Sequence, residues 1–144
     1  MELTLTVPCE PQGKGRPRFA RIGNKTIART PDKTVIYENL IVTVYRQKYG
    51  DSRFLDNESL DLRIDAYFPV PASMSKKKRE QMYEGIIRPA KKPDADNIIK
   101  VVADSLNGIA YRDDAQIVEC RLAKYYSDHP RLEIIILKAW RGAV

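Results

Sequence analysis

The chain has 144 residues, 43% of them hydrophobic, with 25 Lys and Arg against 19 Asp and Glu for a formal charge of +6. That length and apolar content suit one folded domain over residues 1–144 and exclude a disordered chain, which lacks the apolar surface that offsets ordering entropy. No run approaches the roughly eighteen apolar residues of a membrane span, and no basic stretch followed by an apolar run opens the chain, so a soluble, cytoplasmic protein without a signal peptide is expected.

The positive charge favours a polyanionic partner without naming one. Cys9 and Cys120 are distant and neither belongs to a Cys-x-x-Cys pair, so zinc-thiolate chemistry and a disulfide framework lack support. His129 is the only histidine, which disfavours His-ligated zinc, and its place before Pro130 reads as a turn.

In chain order, Leu3, Leu5 and Val7 alternate with polar residues and predict a first strand over 2–7, ended by Pro8. From Pro11 to Arg29 the chain carries Lys14, Arg16, Arg18, Arg21, Lys25 and Arg29 with no acid, punctuated by Gly13, Gly15 and Gly23. This reads as a basic loop over about 11–30, with room for a short hairpin. Over Thr34–Tyr49, Ile36, Leu40 and Val44 and also Tyr37, Ile41 and Tyr45 recur every four residues, predicting a helix stopped by Gly50. Leu60, Leu62, Ile64, Ala66 and Phe68 alternate with polar residues and Tyr67 to give a second strand, and Ser75 with Lys76 to Gly85 reads as a short basic helix.

Next comes KKPDADNIIK, residues 91–100, in which Asp96 stands where a helix cap is expected. Over Asn97–Asn107, Ile98, Ile99, Val102 and Leu106 form an apolar stripe, and Asn97, Lys100, Asp104 and Asn107 form a polar one. After an Asn107-Gly108 turn, Ile117–Tyr126 and Leu132–Leu137 read as two antiparallel strands joined through Ser127 to Pro130. The order βαβααββ suits an α+β domain, a mixed or antiparallel sheet covered by helices.

Asp94, Asp96, Asp104, Asp113 and Asp114 crowd into twenty-one residues of a basic protein. Hard divalent ions take oxygen ligands, so two or three of these carboxylates converging from different segments suffice for one ion. Lys100 on the same polar stripe is suited to stabilising charge on a phosphoryl group under attack. Each residue also has a plainer role: Asp96 as a helix cap, Asp96–Lys100 and Lys100–Asp104 as ion pairs, and Asp113-Asp114 as a turn former. Trp140, Tyr125 and Tyr126 read as packing rather than as a base-stacking platform.

The stretch KKPDADNIIKVVADSLNGIAYRDDAQIVE, Lys91 to Glu119, resembles the RusA family of Holliday junction resolvases in its Lys-x-Asp-x-Asp-Asn, following Lys, Asp-x-Leu and Asp-Asp-x-Gln-Ile elements. Upstream, KGRPRF, TPDKT and PASMSKKKR are similar to segments of the family's phage and prophage branch. The resemblance implies a RusA-like fold and a metal-dependent, structure-selective endodeoxyribonuclease acting on branched DNA in recombination and repair as a homodimer. It implies Mg²⁺, with Mn²⁺ as an alternative, and no organic cofactor. Position by position it implies catalytic roles for Asp94, Asp96, Asp114 and Lys100, and metal binding by Asp94, Asp96 and Asp114 with Asp113. Lys14, Arg16, Arg18, Lys91 and Lys92 are the candidate DNA contacts. The segment Asn107–Arg112 is one residue shorter than in the best-known bacterial member and the basic loop is longer. Two rival readings stay open: a non-catalytic DNA-binding recombination accessory, and a less selective flap or fork nuclease.

Overall fold

The computed structural model describes residues 1–140. Its architecture is α+β, and the order is β1 (Glu2–Pro8), β2 (Arg18–Ile22), β3 (Lys25–Arg29), α1 (Asp32–Tyr49), β4 (Leu60–Phe68), α2 (Lys76–Tyr83), α3 (Ala95–Ser105), β5 (Ile117–Tyr126) and β6 (Arg131–Lys138). A 3-10 turn, Asp114–Gln116, precedes β5. No described helix is long and apolar enough to cross a membrane.

The main sheet has the order β1-β6-β4-β5. β6 runs antiparallel to both of its neighbours, while β4 and β5 are parallel, with α2 and α3 in the crossover between them. β5 and β6 therefore run in opposite directions, as the sequence suggests, but β4 lies between them and they do not form a hairpin. The connection instead passes over the end of β4, where the Ser127 amide donates to the Phe68 carbonyl at 2.9 Å. A short polar link is compatible with either arrangement. What decides is β6, whose Leu132, Ile134 and Ile136 are fully buried and take a central place between β1 and β4.

One face of the sheet carries the core. Leu3, Leu5 and Val7 of β1 and Leu60, Leu62, Ile64, Ala66 and Phe68 of β4 pack against helices that contribute Tyr37, Ile41 and Tyr45 from α1 and Ile98, Val101, Val102 and Leu106 from α3 and its end. At roughly 25 cal/mol per Å² of apolar surface, burying side chains of this size contributes about 1.5–3 kcal/mol each, which makes this face the main source of stability. On α1 only one of the two stripes read from sequence is sealed: Leu40 and Val44 are half-buried and Ile36 is exposed. On α3, Ile99 is half-buried and Val101 buried, because the helix meets α1 as well as the sheet.

Element ends shift by one or two residues. Most consequential is α3, whose cap is Asp94 rather than Asp96; Asp96 lies inside the first turn. The basic loop does contain a hairpin, β2 with β3, turning through Gly23 at φ 61°, which suits a residue without a Cβ. Ser75 caps α2, its hydroxyl accepting from the Lys78 amide. Cys9 and Cys120 are both exposed and free.

Ile98→Ala removes a fully buried side chain at the start of α3, and the expected loss is about 2–5 kcal/mol, read as a lowered denaturant midpoint in equilibrium unfolding.

Candidate active site

α3 starts where Pro93 and the extended backbone of Asp94 hand over to the first turn. The Asp94 carbonyl accepts the Ile98 amide at 3.1 Å, yet its carboxylate makes no capping hydrogen bond. A cap in this role normally spends its side chain on the first-turn amides; here the carboxylate is exposed and uncommitted. It borders a surface depression together with Gly13, Lys14, Arg16, Lys92 and Asn97. Asp96 and Lys100 are also exposed, and neither is in an ion pair among the described residues. The plain pairings of Lys100 with Asp96 or Asp104 are therefore not made.

Asp104 pairs instead with Lys14, at 3.4 Å from Oδ2 to Nζ. The same ammonium donates to Glu38 Oε1 on α1 at 3.0 Å, and the Lys14 backbone amide donates to the Asn97 carbonyl at 2.9 Å. Lys14 thus ties the basic segment to both helices. Partial burial pulls its pKa down, but the hydrogen bond and charge of Glu38, joined by Asp104, outweigh that and the net direction is upward. Of the candidate DNA contacts, only Lys14 is in an ion pair among the described residues; Arg16 and Lys92 line the same depression as Asp94, and Arg18 opens β2. Lys91 lies against the Phe68 and Tyr126 rings, and its carbonyl accepts from Lys124 Nζ at 2.6 Å.

The two glycines flanking Lys14 are close-approach residues. A Cβ on Gly13 would sit 2.8 Å from Pro93 Cβ and 2.9 Å from Asn97 Cβ, and one on Gly15 would sit 2.8 Å from Thr34 Oγ1. The Gly15 amide donates to that buried hydroxyl at 3.0 Å. Sequence reading misses Glu38, whose only signal is being an acid next to the buried Tyr37 and one turn beyond Thr34 on α1.

Beyond the far end of α3, Asp113 and Asp114 form a turn pinned by Gln116. The Gln116 Oε1 accepts from the Arg112 and Asp113 amides, and its Nε2 donates to the carbonyls of Leu55 and Glu58. Asp113 accepts the Ala115 amide, and the Asp114 amide donates to Asn107 Oδ1 at 3.0 Å. The hydrogen bond from the Ala115 amide lowers the Asp113 pKa, helped by the Asp114 side chain; Asp114 is raised by the hydrogen bond to Asp113, by desolvation, and by the charges of Asp113 and Asp104. Buried Tyr111 braces the turn, its hydroxyl donating to the Ala103 carbonyl at 2.6 Å.

α3 itself is about 16 Å long at 1.5 Å per residue, so Asp94 and Asp96 stand near one end and Asp113 and Asp114 beyond the other. Among the described residues no three carboxylate, imidazole or thiol groups come together to hold a metal ion. The donor chemistry still fits a hard cation bound in the open, since such ions are commonly held by one or two carboxylates, with water and substrate phosphate completing the shell.

Comparison with known proteins bears on this geometry. The chain is 36% identical over 134 residues to the uncharacterized protein YqaN of Bacillus subtilis (strain 168), an alignment covering 93% of this chain and 94% of that protein. The family described as Endodeoxyribonuclease RusA matches residues 8–137, a span that runs from the end of β1 to the end of β6 and includes each acidic and basic residue described above. The chain belongs to the RusA endodeoxyribonuclease family.

Proposed function

We propose that this protein is a structure-selective endonuclease that cuts four-way DNA junctions, using Mg²⁺ or Mn²⁺. The observation that carries the reading is the Asp94 carboxylate, released from capping and bordered by Arg16 and Lys92, in a chain of an endodeoxyribonuclease family. Phosphate oxygens fit the guanidinium and ammonium groups that line the same depression, which would bring a phosphodiester up to the carboxylate. Lys100, exposed two turns into α3 and unpaired among the described residues, is free to meet the charge that builds on the phosphoryl oxygens.

Asp94 with Asp96 would hold one cation at the start of α3, and Asp114 with Asp113 would hold a second beyond its far end. Once bound, a cation would offset the negative charge of the scissile phosphate, a role that no carboxylate can fill by itself. Lys14 is read as a positioning residue, not a DNA contact: it fixes the basic segment against α3 and neutralises Asp104. Two equivalent cuts require two sites, which favours a homodimer.

The alternative of a DNA binder without catalysis draws on one observation, the separation of the two acidic pairs. Incubating the protein with a four-way junction, a fork and a linear duplex, each with Mg²⁺ and with EDTA, separates the readings. Metal-dependent nicking confined to the junction is expected; salt-sensitive binding without nicking would defeat the proposal, and equal cutting of the fork would restrict it to general branched DNA.

Asp94→Asn and Asp114→Asn should each abolish cleavage while retaining junction binding, and Lys100→Ala should lower the single-turnover rate about 10²–10³-fold, the scale for losing one charge-stabilising group. Lys14→Met and Gly13→Ala should each slow cleavage, yet leave the slope of log affinity against log salt at the wild-type value, because the Lys14 ammonium contacts carboxylates and not phosphate. A slope lowered by about one in Lys14→Met would instead make that lysine a phosphate contact.

A further inference from the structure

The β2–β3 hairpin stands apart from the rest of the fold: every residue of both strands is exposed, and the two strands pair only with each other. An isolated two-stranded ribbon is marginal in water, so the apolar groups it exposes call for a reason. Phe19 is 73% exposed, Ile22 65% and Ile27 45%. The register puts Phe19 opposite Ala28 and Arg21 opposite Thr26 on one face; Arg18 faces Arg29, Ala20 faces Ile27 and Ile22 faces Lys25 on the other. An aromatic ring is thus held open, with arginines or lysines at both ends of the ribbon. None of Arg18, Arg21, Lys25 and Arg29 is in an ion pair among the described residues, although Asp32 borders the hairpin's base.

Charge decides the occupant. A second copy of this ribbon would bring like charges together, whereas DNA supplies phosphates for the arginines and bases for the ring. A two-stranded ribbon fits the DNA major groove, and apolar side chains entering base steps must unstack them. That cost is least where stacking is already broken, as at the centre of a branched junction.

We propose that the β2–β3 hairpin inserts Phe19 between bases at the branch point of a DNA junction, with its basic residues on the flanking phosphates, and so selects branched over linear DNA. The proposal deepens the nuclease reading and rests on it. It also gives a purpose to the anchorage at Gly13, Lys14 and Gly15: the ribbon leaves the body of the protein immediately after a segment fixed to α1 and α3, so a junction held by the ribbon lies beside Asp94.

The test uses the full chain in EDTA, with a synthetic immobile four-way junction and a linear duplex of equal length. Phe19→Ala leaves the core untouched and should reduce the ratio of junction to duplex affinity about tenfold, within the range for losing one aromatic–base stack. Permanganate reactivity of branch-point thymines should rise when the wild type binds, return to that of free DNA with Phe19→Ala, and recover with Phe19→Trp. Arg18→Ala and Arg29→Ala should weaken both complexes and lower the salt slope by about one each. An unchanged affinity ratio and thymine reactivity in Phe19→Ala would overturn the insertion while leaving the nuclease reading intact. Sedimentation showing that Phe19→Ala alters the oligomeric state instead would assign the ring to a contact between copies and overturn it as well. Failure of the wild type to distinguish junction from duplex would sink the proposed substrate together with the inference.

Discussion

The ammonium of Lys14, shared between Glu38 and Asp104, holds together parts of the chain that are remote in sequence. Without a positive charge there, the acids on α1 and α3 would lose their shared counter-charge, and the segment that carries the hairpin would be held to the two helices by the backbone amides of Lys14 and Gly15 alone. The pair is only part-exposed, at 22% and 20% for the Lys14 and Glu38 side chains, so solvent screens it less than an ordinary surface bridge. Around this contact the glycines allow backbone to touch Pro93, Asn97 and Thr34 directly, and that proximity places Arg16 beside Asp94.

A division of labour follows along α3. Its apolar side is sealed by Ile98, Val101 and Val102, which fixes the helix against the sheet and α1. The polar side is left with exposed charges at its start and a partly neutralised acid near its end. Rigidity from one side lets the other present uncommitted groups in fixed positions, as recognition of a phosphodiester requires.

Much of this was legible in the residues. The strand at 60–68 follows from alternation, the strand at 117–126 from the turn residues Ser127 to Pro130 that end it, and α3 from its 3.6-residue stripe. What the chain could not declare was partnership. Six basic residues without an intervening acid look uniformly available for DNA, but Lys14 is spoken for, because its partners Glu38 and Asp104 lie 24 and 90 residues away and only the fold brings them near. Likewise the link from β5 to β6 reads as a hairpin locally, and β4 intrudes because strand order is settled by which strands bury both neighbours' side chains. The cap of α3 moved from Asp96 to Asp94 since both are good capping types two residues apart, and local chemistry alone does not choose between them.

The sheet ends at β5, which pairs with β4 on one side and with no described strand on the other. Apart from the Lys124 carbonyl, which accepts from Arg88 Nε at 2.6 Å, such a border offers backbone amides and carbonyls to any extended peptide that drifts past. Glu119, Arg121 and Lys124 punctuate this strand with charge, and a sticky border is thereby made inhospitable to indiscriminate accretion.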